Sequence, residues 1–487
     1  MAAHLPQCRF PLKFGPVHHP AAPAINPYRQ LLRRRFPEPF IFVLVFVLGI
    51  WLWDNHFGRQ IQPDSDADQR DTWELTLLKI DRDLRLADGL EDMPSWLRSL
   101  FGVESVDTAV HHAMKALRPM VIPKHRHDTS DELLELEREG AYALSVLTAV
   151  SEEASAAAGP FRTYGLAAPP SESEVSQRII EGRESWWDMQ YLMALERPEF
   201  DQFQKLHSVR TERLVGNMMK ARGAVVALTL GGLVFVPGTL LAFLRARSKG
   251  PRINYTERWK ASYGVGVFLL AFLAYLGFTV SFQTLLNQLA KGSHGGPLLS
   301  MPVYVALDSL TRFLPALLAI GLLFRHGKHA ISRFGLRGPF NGKLVLGAFS
   351  ILQILDFGLR VGFDRFSSGN PTGGLSPNEV GVWGLVLGVA SACIAAPIAE
   401  EIVYRGVLFR SLANRLSLGS AAIVSSVAFS LVHFVPWTSL ILIGVVGFMC
   451  AMTYAASRTL LTAIVLHALY NAAVKIPEWI IYQTPLF

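Results

Sequence analysis

Six ionisable side chains that can titrate near neutrality or below lie inside apolar stretches of this 487-residue chain: Asp308, Asp356, Glu400, Glu401, His433 and His467. An ionisable group in a membrane-spanning helix costs at least ~2.5 kcal/mol, so each needs a partner or a task. Asp308 and Arg312 are spaced i,i+4, as are Asp356 and Arg360, which puts opposite charges on one helical face. Structural ion pairing accounts for both pairs; an aspartyl protease reading lacks the expected Gly-x-Gly-Asp context. The other four groups point to different chemistry. Pro397 removes a helical N–H and crowds the carbonyl of Cys393, so a kink is expected just before Glu400 and Glu401. Adjacent carboxylates on a helix point about 100° apart and do not easily share one role. Glu401 can bridge to Arg405 at i,i+4, leaving Glu400 to face a cavity as a general base. Phe429 and His433 share a face, and so do His467 and Asn471. A glutamate, two histidines and an asparagine from three spans could surround one water. Glu400 would take its proton, His433 would hold it, and His467 and Asn471 would donate to the oxyanion formed on a carbonyl. That is the chemistry of amide hydrolysis. Each element alone is commonplace: a single histidine in a span usually makes a helix–helix hydrogen bond. Their order and shared confinement to apolar runs give the combination its weight.

The elements that must position these groups are membrane helices. The chain is 51% apolar and 17% charged, with mean hydropathy +0.29, against about 25% charged residues in an average soluble domain. A soluble cytosolic enzyme is thereby excluded. Apolar runs cover 39–53, 223–244, 261–286, 302–324, 344–361, 381–403, 417–435, 438–454 and 460–474. The net charge of +7 does not signal nucleic acid, because residues 54–222 carry a net −10 and the basic excess lies elsewhere, largely in short loops. The loop 245–260 holds six basic residues against Glu257, and 325–343 holds five with no acid, whereas 287–301 and 362–380 are nearly uncharged. This alternation predicts a cytoplasmic N-terminus and an extracytoplasmic C-terminus. The fold expected is all-α: a polytopic membrane bundle of about eight or nine spans, with a large helical extracytoplasmic insertion between the first two.

Six segments follow. Residues 1–38 form a cytoplasmic arm and 39–53 a retained anchor, since the run ends in Trp-Leu-Trp-Asp-Asn without a small-residue cleavage site. Residues 54–222 read as acidic and helical, with three- and four-residue apolar spacing over Asp131–Ala158 and Ser171–Leu195. Cys8, Cys393 and Cys450 all lie outside this segment, so no disulfide framework holds it. His111-His112 and the pair His125/His127 lack carboxylates at ligand spacing and read as solvated loop histidines. Residues 223–380 carry no catalytic motif, 381–474 hold the motifs above, and 475–487 form a tail.

In order, Glu400-Glu401-x-x-x-Arg405, Phe429-x-x-x-His433 and His467-x-x-x-Asn471 resemble the three motifs of the CPBP family. These are the CAAX proteases and bacteriocin-processing enzymes, also called Abi, which include Rce1-type intramembrane glutamic endopeptidases. The flanking Ala-Pro-Ile-Ala-Glu-Glu-Ile-Val-Tyr-Arg-Gly agrees, and the resemblance covers about 381–474. It implies a membrane-sunk site opening to the cytoplasm and a glutamate-activated water without an obligatory metal. Glu400 would be the base, assisted by His433, with His467 and Asn471 at the oxyanion and Glu401, Arg405 and Phe429 in support. Zinc at Glu400, His433 and His467 is the alternative, although no HExxH is present. The implied partners are the bilayer and a membrane protein, lipidated chain or peptide as substrate, with no nucleic acid and a possible protein partner for 54–222. A non-catalytic scaffold or immunity protein, and a proton-relay transporter, are the competing classes; the transporter would require repeat symmetry between halves, which is not found.

Overall fold

The structure is a computed structural model that describes residues 66–121, 131–151, 170–195, 200–248, 259–292, 301–324, 335–336, 339–362, 386–433 and 437–483. The expected arm over 1–38, the anchor over 39–53 and the His125/His127 pair lie outside the described residues. Every regular element among the described residues is helical.

The acidic segment folds as α1 (Asp66–Gly89), α2 (Ser95–Leu100), α3 (Val106–Val121), α4 (Asp131–Ser151), α5 (Glu172–Glu181) and α6 (Trp186–Ala194). The spacing over Ser171–Leu195 suggested one continuous helical stretch. It is instead two helices, because Gly182 takes a left-handed φ of 76° and ends α5. Ser171 starts α5 with a capping box, accepting from the Glu174 N–H while the Glu174 carboxylate accepts from the Ser171 N–H at 2.7 Å. Leu84, Leu117 and Leu147 pack with Trp186 and Trp187 in a solvent-free core. Around it, charges are buried in partnership. Arg85 spans Asp81 at 3.0 Å and the Glu184 backbone carbonyl at 2.6 Å. Arg178 and Trp187 both donate to Glu139, at 3.1 and 2.8 Å. His112 pairs with Glu104 at 2.8 Å on the surface.

Two buried carboxyls of this segment respond to pH in opposite senses. Burial opposes the charge of Glu184, but His207, Arg210 and Arg85 overcome it and lower its pKa to about 2. Burial and the neighbouring Glu139 raise Asp188 to about 6, despite the Ser185 N–H and Arg178. Because the folded pKa of Asp188 exceeds its unfolded value, its charged form weakens the fold. That penalty is absent below the unfolded pKa and grows as pH rises through about 6. Asp188→Asn keeps an acceptor for the Ser185 N–H and removes the charge. It is expected to raise the unfolding temperature of α5 and α6 at pH 7.5 and to have little effect at pH 4. The difference amounts to about 2–3 kcal/mol at most. Hydrogen exchange of peptides from 172–194 at the two pH values reads it directly; equal protection of both proteins at pH 7.5 would overturn the assignment.

The long rod α7 (Phe200–Gly232) continues through a 3-10 turn at Leu233–Phe235 into α8 (Val236–Ser248). The turn falls where Pro237 has no N–H to offer the Leu233 carbonyl. The continuous 48-residue stretch Asp201–Ser248 is about 72 Å long, more than twice a bilayer core of about 30 Å. Its apolar part begins at Gly223, so the polar first half stands outside the bilayer and carries the acidic helices.

Beyond it come α9 (Ala261–Gly292), α10 (Met301–Thr311), α11 (Leu314–Leu323), α12 (Gly342–Gly362), α13 (Val386–Leu412), α14 (Leu418–Leu431), α15 (Trp437–Ser457) and α16 (Leu460–Gln483). Six helices among the described residues are long and apolar enough to cross a membrane, and the apolar helices α11 and α14 are shorter. The chain is an integral membrane protein. The run over 302–324 is broken rather than continuous, because Pro315 withholds an N–H from the Thr311 carbonyl and α10 stops there. Backbones approach closely where side chains vanish: a Cβ on Gly232 would strike Ser350 and Leu346 of α12, and one on Gly347 would strike Thr239 and Phe235.

Cross-chain contacts sort the loops into two faces. Leu460 N–H donates to Gly335 at 3.2 Å, and Trp259 donates to Ser411 at 2.7 Å, so the basic loop 325–343 meets the start of α16 and the basic loop 245–260 meets the end of α13. At the opposite end, Tyr482 of α16 donates to Asp83 of α1 at 2.6 Å. Ile481 and Tyr482 share a small core there with Leu86, Leu90, Leu214 and Met218. The end of α16 therefore lies on the same side as the acidic helices.

Candidate active site

Glu400 and Glu401 sit on a short α-helical segment between two π-helical stretches of α13, Ser391–Ala395 and Ile402–Phe409. Such wide turns are frequent at functional sites. Pro397 accounts for the first. The Ala396 N–H reaches back to the Ser391 carbonyl, five residues away. In that register the Ala392 carbonyl would take its hydrogen from residue 397, which has none. Asn471 of α16 supplies it instead, donating from Nδ2 to the Ala392 oxygen at 2.8 Å.

Helix α13 runs on past Val403 to Leu412, so Glu400 is deep in the span rather than at its mouth. Arg405 is consequently buried. Its guanidinium lies 2.8 Å from Glu401 Oε1, with the two side chains 1% and 0% exposed. Charge and the face of Phe429, 4.4 Å from the guanidinium carbon, hold it in place of aligned hydrogen bonds. Phe429 also stands edge-on to Tyr404, His433 and His467, at 5.1, 4.9 and 5.7 Å between ring centroids. One ring thus sets the spacing of the guanidinium and both imidazoles.

His467 connects the two carboxylates. Its Nδ1 is 2.9 Å from Glu401 Oε1, and its Nε2 is 3.8 Å from Glu400 Oε2. With Arg405 beside it, Glu401 accepts, so Nδ1 carries the proton and Nε2 faces Glu400. His433 lies just beyond the end of α14, where Nδ1 donates to the Phe429 carbonyl at 2.8 Å and leaves Nε2 for a ligand. It is within electrostatic reach of Glu400, His467 and Arg312. Glu400 is the open member: its side chain is 24% exposed, against none for Glu401.

Glu400, Glu401, Arg405, Phe429, His433 and His467 therefore occupy one cluster. Asn471 adjoins it, with one amide hydrogen committed to Ala392. Asp356 is buried on α12, while the side chains of Asp308 and Arg360 lie outside the described residues. Helix α14 ends at Leu431, short of the expected 435, and this puts His433 in a turn. Two neighbours were not singled out in the sequence. Tyr404, four residues after Glu400, is buried edge-on to Phe429, a position the i,i+4 spacing could have found; Cys450 of α15 is fully buried against the cluster. Donor atoms of Glu401, Cys450 and His467 lie within 4.8 Å of one another. A divalent ion there would meet the Arg405 guanidinium, which already supplies the positive charge, so this set does not fit a metal.

Comparison with known proteins bears on this region. Residues 382–473 match the family model of type II CAAX prenyl endopeptidase Rce1-like proteins. Over 85 residues the chain is 33% identical to YdiL of Bacillus subtilis (strain 168), whose name describes it as a candidate membrane peptidase. That alignment covers 18% of this chain and 34% of the relative, so the match spans about a third of the relative's length. No solved structure matches the chain significantly. The C-terminal membrane segment is thus similar to Rce1-like proteins over the stretch that holds the three motifs.

Proposed function

We propose that this protein is an intramembrane endopeptidase that hydrolyses a peptide bond of a membrane-associated protein or peptide with a glutamate-activated water. The observation that carries the reading is the bridging His467, held by Glu401 on one nitrogen and facing the accessible Glu400 with the other. Glu400 takes a proton from water, and the oxygen of that water attacks the scissile carbonyl carbon. His433 Nε2 orients the water. The oxyanion forms near His467 and Asn471. His467 donates there only as imidazolium, since its Nδ1–H is committed to Glu401. Asn471 offers its second amide hydrogen. The proton on Glu400 then passes to the leaving nitrogen as the carbon–nitrogen bond breaks, giving a carboxylic acid and an amine that become carboxylate and ammonium by proton transfer.

The N-terminus is taken as cytoplasmic and the acidic helices as extracytoplasmic, in a plasma or inner membrane, where they would recruit a substrate or partner. A second reading keeps the same residues. Both imidazoles engage Nδ1 and free Nε2, the arrangement that second-shell bonds impose on zinc-binding histidines, so Glu400, His433 and His467 also suit zinc. Zinc would there supply a polarised water; the residues would hold it and take the proton.

The test compares protein termini in membranes of cells carrying wild-type or Glu400→Ala protein. New C-terminal or N-terminal ends that require Glu400 are expected, and they should persist in purified protein stripped of metal by a chelator. Identical termini in both cells would remove the peptidase reading and favour a scaffold; loss of cleavage on chelation, restored by zinc, would select the metal form.

A further inference from the structure

We propose that Asn471 is a positioning residue for the Glu400–Glu401 turn, by way of the backbone carbonyl that Pro397 leaves without a donor. Three facts meet at this point. The π turn sends the Ala396 N–H to Ser391, the residue five places behind. Pro397, next in line to serve Ala392, has no N–H. Asn471 Nδ2 donates to Ala392 at 2.8 Å from a different helix. A carbonyl in an apolar span is costly to leave without a donor even when half-buried, so the π turn persists only while α16 supplies this hydrogen.

The consequence reaches the site because of where the two ends lie. Ala392 is two turns before Glu400 on α13, and Asn471 is one turn after His467 on α16. The bond therefore acts as a second tie between the two helices, parallel to the His467–Glu401 contact at 2.9 Å. With both ties in place, neither helix can rotate or slide without breaking one, and the 3.8 Å separation of His467 Nε2 and Glu400 is held. The amide acts through the carboxylate turn; its remaining hydrogen is a separate matter.

This inference depends on the proteolytic reading only for its activity readout, so the experiment has two arms on full-length protein in detergent. The variants are Asn471→Ala, the near-isosteric Asn471→Leu, Pro397→Ala and the two double substitutions. An alanine at 397 brings back an N–H five residues after Ala392, which can serve that carbonyl from within the helix. Thermal unfolding is expected to show Asn471→Ala and Asn471→Leu each lowering the midpoint by several degrees. Pro397→Ala should restore at least half of that loss. Cleavage should follow: at least tenfold lower turnover in the single Asn471 variants with KM little changed, and partial recovery in the double ones, the remaining deficit being that of the second amide hydrogen at the oxyanion. Additive effects on the midpoint, with no rescue by Pro397→Ala, would overturn the proposal. So would rescue of stability with no gain at all in turnover, because the restored turn would then have no bearing on the carboxylates. Rescue of stability in a protein whose wild type cleaves nothing would sink the peptidase reading and leave the positioning role standing.

Discussion

Glu400→Gln is expected to lower turnover by about 10²–10⁴-fold while the protein unfolds at nearly the wild-type temperature. The carboxamide has almost the same size but cannot accept a proton from water. Stability should survive because Glu400 is the accessible carboxylate of the pair, and its nearest charged contact is His467 at 3.8 Å. Glu401→Gln should behave differently. It loses the ionic partner of Arg405 at 2.8 Å and the acceptor that orders His467, so turnover and thermal stability should fall together. The comparison is made with purified protein and a peptide bearing a cleavage site found in cells. Turnover by Glu400→Gln within tenfold of wild type would exclude Glu400 as the base.

Arg405→Leu is expected to have the largest effect on stability of any single change in the site. Its removal strands a carboxylate with no solvent exposure, and breaking a buried ion pair from one side costs about 3–5 kcal/mol. Phe429 also loses the cation on its face, so the ring that spaces His433 and His467 is freed on one side. Neutralising the partner should reverse much of the damage. The double variant Glu401→Gln with Arg405→Leu should unfold closer to wild type than Arg405→Leu alone, because no buried charge remains. Activity should stay low in both: the double variant has lost the carboxylate that orders His467, and in Arg405→Leu that carboxylate has lost its cation. Midpoints from intrinsic fluorescence in detergent decide this; a double variant less stable than either single would show that the pair holds the fold by more than charge balance.

The same coupling explains why the first motif contains two adjacent glutamates. Their directions differ, and only one can enter the Arg405 pair. Burial then divides the work: Glu401 is sealed against Arg405 and His467, and Glu400 is left at the accessible edge. The second glutamate is spent on orientation, as the third group of a base-orienting triad is in hydrolases generally.

Much of this was legible without coordinates. Local rules sufficed for the Glu401–Arg405, Phe429–His433 and His467–Asn471 pairs, because residues four apart on a helix share a face whatever surrounds them. Desolvation cost singled out the same few groups, since an apolar run tolerates a charge only for a reason. Hydropathy gave membrane helices, and charge bias separated the basic loops 245–260 and 325–343 from the nearly uncharged ones. What required the tertiary structure was every choice between neighbours of equal chemistry. Pro397 announced a kink, yet only the packing of α16 determined that the kink would be a π turn held by Asn471. Cys450 joins the site through the packing of α15, for which spacing carries no signal, whereas Tyr404 lies one turn after Glu400 and obeys the same four-residue rule. The long rod of α7 and the seat of Tyr482 on Asp83 join the acidic helices to the membrane bundle through contacts hundreds of residues apart in sequence. A residue's type and its near neighbours determine what it is able to do. Which partner it meets is decided by the burial of whole helices against one another, a sum over many weak contacts that no local pattern contains.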